Sequence, residues 1–187
     1  ESVKKSILRK NVYYLKKSPF KKIKEISFDY AVLEKSKNIY GIKLNIPLIG
    51  ITGSNGKTTT KNLTTLVLKT TYKVYSTKGN FNNHIGVPLS ILDLNASHEI
   101  AVIEMGASGL GEIAFLCEIS RPNVGLITNI SPVHLEGFGN FESVIRGKSE
   151  LFDYLIKNEG IAFINNNDKV LLNFSKRFEN TRLCYEY

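Results

Sequence analysis

The stretch Ile46-Pro47-Leu48-Ile49-Gly50-Ile51-Thr52-Gly53-Ser54-Asn55-Gly56-Lys57-Thr58-Thr59-Thr60 decides the fold. Its apolar opening, Ile46–Ile51, reads as a buried strand, and Lys57 begins a helical pattern that runs to Leu68. Strand, glycine-rich turn and helix in that order form the setting of a phosphate-binding loop. Glycines let backbone N–H groups close around phosphate oxygens, and the helix N-terminus adds the positive end of its dipole. Lys57 would reach the β- and γ-phosphates, and the Thr58 hydroxyl suits Mg²⁺. Gly53, Ser54, Asn55, Gly56, Lys57, Thr58 and Thr59 are therefore the candidate nucleotide-binding residues. The loop departs from the general pattern at one point. That pattern wants a glycine at position 51, whereas the glycines here stand at 50, 53 and 56.

Downstream, strand and helix patterns alternate. Strands are expected at Tyr72–Ser76, Glu99–Met105, Val124–Ile130, Gly160–Ile164 and Arg182–Tyr185. Helices are expected at Val87–Leu94, Gly111–Ile119, Phe141–Ile156 and Lys169–Phe174. Pro88 falls in the first turn of its helix, where its missing N–H costs nothing, and Asn140 is a candidate N-cap. Such alternation specifies an α/β fold: a P-loop three-layer sandwich with a mostly parallel central sheet. Ligands of these sheets bind at the carboxyl ends of the strands.

Residues 1–45 break the rhythm. Ala31–Ile42 could form a lead-in helix, preceded by mixed short pieces. We expect 1–45 to be a lead segment, the remnant of or linker from an N-terminal substrate domain, and 46–187 to be an incomplete central nucleotide-binding domain. The net charge of +8 lies in the lead, which holds 12 Lys/Arg against 4 Asp/Glu. A basic arm can bind nucleic acid. Here aromatic residues at stacking spacing are missing, and the richness in Lys, Asn and Ile matches an A/T-rich genome, so no nucleic-acid partner is expected. No apolar run is long enough for a membrane span. Cys117 and Cys184 lack metal-ligand spacing and read as reduced thiols of a cytoplasmic protein.

Three residues outside the loop carry chemistry. Glu104 ends the strand Ile100-Ala101-Val102-Ile103, beside the phosphate loop, where a metal-binding acid is needed. His134 follows the strand Val124–Ile130 and the turn Ser131-Pro132, on the same edge. Lys148 sits within the apolar stripe Phe141, Val144, Ile145, Leu151, Phe152, Leu155. A lysine there snorkels, pairs or loses its charge, and a neutral amine can take up CO₂ as a carbamate.

These residues resemble the Mur ligase family. The loop Gly50–Thr60 has that family's glycine spacing. Gly79-Asn80-Phe81-Asn82-Asn83-His84-Ile85-Gly86-Val87-Pro88 resembles its substrate-side loop. Glu104-Met105-Gly106-Ala107 with Gly111-Glu112-Ile113 resembles the signature of the D-alanyl-D-alanine-adding branch. Thr128-Asn129-Ile130-Ser131-Pro132-Val133-His134-Leu135-Glu136-Gly137-Phe138-Gly139 and Lys148-Ser149-Glu150-Leu151 complete a match that spans 43–172.

The resemblance implies an ATP-dependent amide ligase of peptidoglycan precursor synthesis that joins D-alanyl-D-alanine to UDP-N-acetylmuramoyl-tripeptide. Lys57, Lys148 and His134 would be its catalytic residues. Thr58, Glu104, His134 and a carbamylated Lys148 would hold two Mg²⁺ ions, and Asn82 and Asn83 would face the substrate. It also implies a C-terminal dipeptide-binding domain, absent here, whose closure turnover requires, so these 187 residues alone are expected not to ligate. A cytoplasmic monomer is expected. The alternatives are a sibling amino-acid-adding or folate-type polyglutamate ligase, a generic P-loop phosphotransferase, and a non-catalytic nucleotide-binding fragment. Glu-Met-Gly-Ala and Gly-Glu-Ile argue against the first, and the inward Lys148 against the second.

Overall fold

Six parallel strands carry the larger part of the molecule, with the phosphate-loop strand inside the sheet. A computed structural model describes residues 46–178 together with the strands Ile7–Arg9, Val12–Tyr14 and Arg182–Tyr185. The chain divides into two units, Glu1–Lys43 and Leu44–Tyr187. In the first, β1 (Ile7–Arg9) pairs antiparallel with β2 (Val12–Tyr14), in the register Ile7 with Tyr14. The helix expected at Ala31–Ile42 lies outside the described residues.

In the second unit the elements run β3 (Leu48–Thr52), α1 (Lys57–Leu68), β4 (Val74–Ser76), α2 (Gly86–Leu92), β5 (Ile100–Glu104) and α3 (Glu112–Ser120). They continue with β6 (Val124–Ile127), α4 (Leu135–Phe138), α5 (Phe141–Lys157), β7 (Ile161–Asn165), α6 (Lys169–Ser175) and β8 (Arg182–Tyr185). The strand order is β4-β5-β3-β6-β7-β8. β3 pairs parallel with β5, Ile51 opposite Glu104, and with β6, Ile51 opposite Leu126. Parallel pairing of the P-loop strand with both neighbours is what the strand–helix alternation predicted.

Several expected boundaries move. The first strand begins at Leu48, not Ile46, and Tyr72 and Lys73 precede β4. The strand expected to run to Ile130 ends at Ile127, because 128–131 leave the sheet to hold the phosphate loop. α4 was not anticipated. Four residues that include a glycine give no helical period, and the turn forms because Phe138 is drawn into the core.

Helices lie on both faces of the sheet. The row Gly50, Gly125, Ala162 runs across β3, β6 and β7 in register. A Cβ on Gly125 would come within 2.9 Å of Leu155 and 3.2 Å of Leu151, and one on Gly50 within 3.3 Å of Leu151. These small residues let α5 lie close, with Val144, Leu151, Phe152 and Leu155 fully buried. Phe152 adds edge-to-face contacts with Phe174 and Phe178 at 6.1 and 5.5 Å. The opposite row, Ile51, Leu126 and Phe163, faces the side of α1, with Val74 and Val102 packed against Ile51.

The caps follow local chemistry. The Asn140 side chain accepts from Ser143 N at the start of α5, as its position predicted, and Asp168 accepts from Val170 and Leu171 N at α6. Glu150, on α5, caps α3 from a distance by accepting from Gly111 N at 2.6 Å and Ala114 N at 2.9 Å. Asn140→Ala is expected to lower stability by about 1 kcal/mol in urea denaturation. An unchanged midpoint would show that the cap contributes nothing.

Candidate functional site

Parallel strands end together, so the turns after β3, β5 and β6 gather at one edge of the sheet. The phosphate loop leaves Thr52 and turns through Gly53 at φ 140° and Gly56 at φ 76°. Gly53 is required twice over, since a Cβ there would also run into the Thr128 hydroxyl. The 128–131 segment grips the loop. Ser54 N donates to Asn129 O at 2.9 Å, and the Ser54 hydroxyl donates to Ser131 O at 3.0 Å while accepting from Ser131 N. Asn55 donates through N to Asn129 Oδ1 and through Nδ2 to Ser131 Oγ, and its carbonyl accepts from Thr128 Oγ1 at 2.6 Å.

The side chains of Ser54 and Asn55, placed by sequence among the nucleotide-binding residues, thus shape the loop. Thr128, Asn129 and Ser131 do the same from the other side. Their likeness to the family stretch 128–139 was legible, but their use was not, because it depends on contacts 73 to 77 residues apart.

The loop ends at Gly56, the N-cap of α1, so the N–H groups of the first helical turn point out of the sheet edge. Lys57 is half-buried and its Nζ donates to the carbonyls of Gly53 at 2.8 Å and Ser54 at 3.1 Å. Burial holds its amine below the ordinary lysine range, while the Glu104 charge pulls the other way. Thr58 and Thr59 are exposed on the first turn.

Glu104 closes β5 and is 1% exposed. Its N–H donates to Thr77 Oγ1, and Asn82 Nδ2 donates to its Oε1 at 2.8 Å. Its other oxygen, Oε2, is buried without a hydrogen-bond donor and lies 3.6 Å from Lys61 Nζ. A buried, charged oxygen with no donor suits a cation. Asn83 has a different task from Asn82. Its Oδ1 accepts from Ile85 N and Gly86 N, and so fixes the entry to α2. Asn83 also lines a cleft of about 390 Å³ with His84, Leu110, Glu112 and Phe115.

Lys148 is 1% exposed, so the inward orientation expected from its stripe is the one observed. Its Nζ donates to Ala107 O at 2.8 Å and lies 5.3 Å from the centre of the Phe138 ring. Burial pushes its pKa down to about 8, repulsion from Lys57 adds to this, and Glu112 and Glu150 oppose it. Ala107 follows Glu104 by three residues, so the amine stands beside the turn that leaves the end of β5. His134 takes a left-handed conformation, φ 54°, and starts α4. It is exposed and lines a second cleft with Ser108, Pro132, Leu135, Glu136 and Gly137. Among the described residues no three His, Cys, Asp or Glu side chains converge as a metal cluster. A cation here would need phosphate and water oxygens as well as Glu104, which is how Mg²⁺ is commonly bound beside nucleotides.

Lys61 was not singled out by sequence. It lies one turn after Lys57, and its amine donates to Thr77 O at 2.9 Å and Gly79 O at 3.3 Å. The available signal was the 57, 61, 65 spacing, which puts Lys61 and Thr65 on the face that carries Lys57.

Residues 51–185 match the Mur ligase middle domain. The chain is 43% identical over 147 residues to the UDP-N-acetylmuramoyl-tripeptide–D-alanyl-D-alanine ligase of Haemophilus influenzae, covering 76% of this chain and 32% of that protein. It is 42% identical over 141 residues to the ligase of the same name from Bacillus subtilis, covering 75% and 31%. Among solved structures, MurF from Acinetobacter baumannii superposes with a TM-score of 0.68 at 33% identity, covering 75% of this chain and 31% of that one. MurF ligase from Thermotoga maritima in complex with ADP superposes at 0.65 with 38% identity, covering 75% and 32%. The chain thus spans about a third of the length of these relatives.

Proposed function

The chain belongs to the Mur ligase family, and on that premise we propose that it supplies the ATP site of a ligase that joins D-alanyl-D-alanine to UDP-N-acetylmuramoyl-tripeptide. The observation that carries the reading is a P-loop lysine on the Gly53 carbonyl, a buried carboxylate with an open oxygen at the end of the adjacent strand, and a buried lysine bonded to the carbonyl three residues past that carboxylate. The names of the relatives supply the substrates.

In this reading the loop N–H groups and Lys57 bind the ATP phosphates. The tripeptide carboxylate attacks the γ-phosphorus, the bond to the β-phosphate oxygen breaks, and an acyl phosphate and ADP form. The amine of D-alanyl-D-alanine then attacks the acyl carbon, inorganic phosphate leaves, and the ammonium proton passes to solvent. Charge neutralisation and alignment are the protein's contribution to such transfers. Thr58, Glu104, His134 and Lys148 would hold Mg²⁺, which supplies further neutralisation of phosphate charge when bound. Asn82 ties Glu104 to the loop 79–83, so the metal side and the substrate side are mechanically joined.

Lys148 fits carbamylation. Burial keeps a neutral amine within reach of neutral pH, and the amine attacks CO₂ with loss of one proton to give an N-carboxylate. The N–H that remains can still donate to Ala107 O, which would orient the new group. This turns a cation that would repel Mg²⁺ into an anion that attracts it.

The test is phosphate release by the intact protein. Release is expected only when ATP, UDP-N-acetylmuramoyl-tripeptide and D-alanyl-D-alanine are all present, with the pentapeptide product seen by mass spectrometry. Product formation from a single amino acid in place of the dipeptide would favour a sibling ligase instead.

A further inference from the structure

Helix α1 is turned against its own hydrophobicity. It buries Lys61 and Thr65, at 3% and 6% exposure, while Leu63, Leu66 and Val67 are 59 to 67% exposed. Burying a lysine costs free energy unless its charge is matched. Here the match is specific. The Thr77 and Gly79 carbonyls hold the Lys61 amine by hydrogen bonds, and they place it 3.6 Å from Glu104 Oε2, the carboxylate oxygen that lacks a donor. At that distance the ammonium acts on Glu104 by charge and leaves the lone pairs of Oε2 open.

Lys57 lies one turn before Lys61 at the start of the helix that follows β3, whose Ile51 stands opposite Glu104 in the sheet, and the Glu104 charge acts on its amine against the effect of burial. One carboxylate therefore acts on two amines from successive turns of one helix. Were Lys61 neutral, Lys57 would be the remaining amine of the pair for Glu104. The bare carboxylate would then draw Lys57 from the loop and repel phosphate. We propose that Lys61 is a positioning residue: it neutralises Glu104 from a fixed mount on two carbonyls, so that Lys57 stays available to the nucleotide phosphates. The proposal rests on the nucleotide-binding reading above.

The test is a double-substitution cycle in the intact protein, reading ADP binding by calorimetry in EDTA, where Glu104 has no metal to hold. Lys61→Met is expected to weaken ADP about tenfold, and Lys61→Arg, which keeps the charge, less than threefold. Adding Glu104→Gln to Lys61→Met removes the unmatched carboxylate and is expected to bring ADP affinity back to within about threefold of the parent. A side chain that merely supported the fold would not be rescued by a second loss. Wild-type affinity in Lys61→Met, or a double variant as weak as the single, would overturn the proposal. If Lys61→Met alone does not fold, the double variant decides, since replacing both members of a buried pair is commonly tolerated. Affinity within threefold of the parent then supports the proposal, and a tenfold loss overturns it. A parent protein that binds no ADP would instead remove the nucleotide reading itself.

Discussion

Lys57→Ala in the intact protein is expected to lower ATP-dependent turnover by about 10³-fold while leaving the far-ultraviolet circular dichroism unchanged. The size follows from the task proposed for the amine, which faces charge moving between the β- and γ-phosphates inside a partly desolvated loop. Its native partners are the carbonyls of Gly53 and Ser54, four and three residues away, and it supports no apolar cluster. The loop keeps its shape without it, because Ser54 and Asn55 remain tied to Asn129 and Ser131. A variant that loses its helical signal would make Lys57 a structural residue, and one that keeps turnover within tenfold would place the phosphates elsewhere.

Lys148→Ala is expected to reduce turnover about 10²- to 10³-fold, with partial recovery in formate or acetate. Truncation opens a space beside Ala107 O and Phe138 where a small carboxylate can stand in for the carbamate. Lys148→Met separates chemistry from packing. It keeps most of the side-chain volume, removes the titrating amine, and should be equally inactive yet folded. The pH dependence of stability distinguishes the two proteins further. In protein kept free of CO₂, where the amine is unmodified, burial holds the folded pKa at about 8, below the ordinary 10.5. Between those values the unfolded chain binds a proton that the folded chain refuses, so stability rises with pH across that window. Lys148→Met should lack this contribution. Normal turnover in Lys148→Ala, or inactivity that no carboxylate relieves, would refute the proposed role.

The P-loop strand, the glycine turn and α1 were legible from 46–68 because each is decided by neighbours in the chain. Apolar residues in a short run make a buried strand, glycines permit the turn, and α1 begins at Lys57 and ends at Leu68 as read. The Asn140 cap and the inward Lys148 were legible for the same reason, since a cap and a helical stripe repeat within one to three turns. What lay beyond reach depends on segments far apart in sequence. Which strands flank β3 is settled by pairing with β5 and β6, some 50 and 75 residues on. The tilt that buries Lys61 and leaves Leu63 and Leu66 in the open follows from where Glu104, Thr77 and Gly79 arrive. Ser54 and Asn55 read as ligand contacts, but their side chains engage Ser131 and their backbone N–H groups engage Asn129, which reach the loop only once β6 is docked. Local backbone preference is written in adjacent residues. The charge and hydrogen-bond partners of a buried polar group are set by packing, and the chain acquires them only when the sheet is assembled.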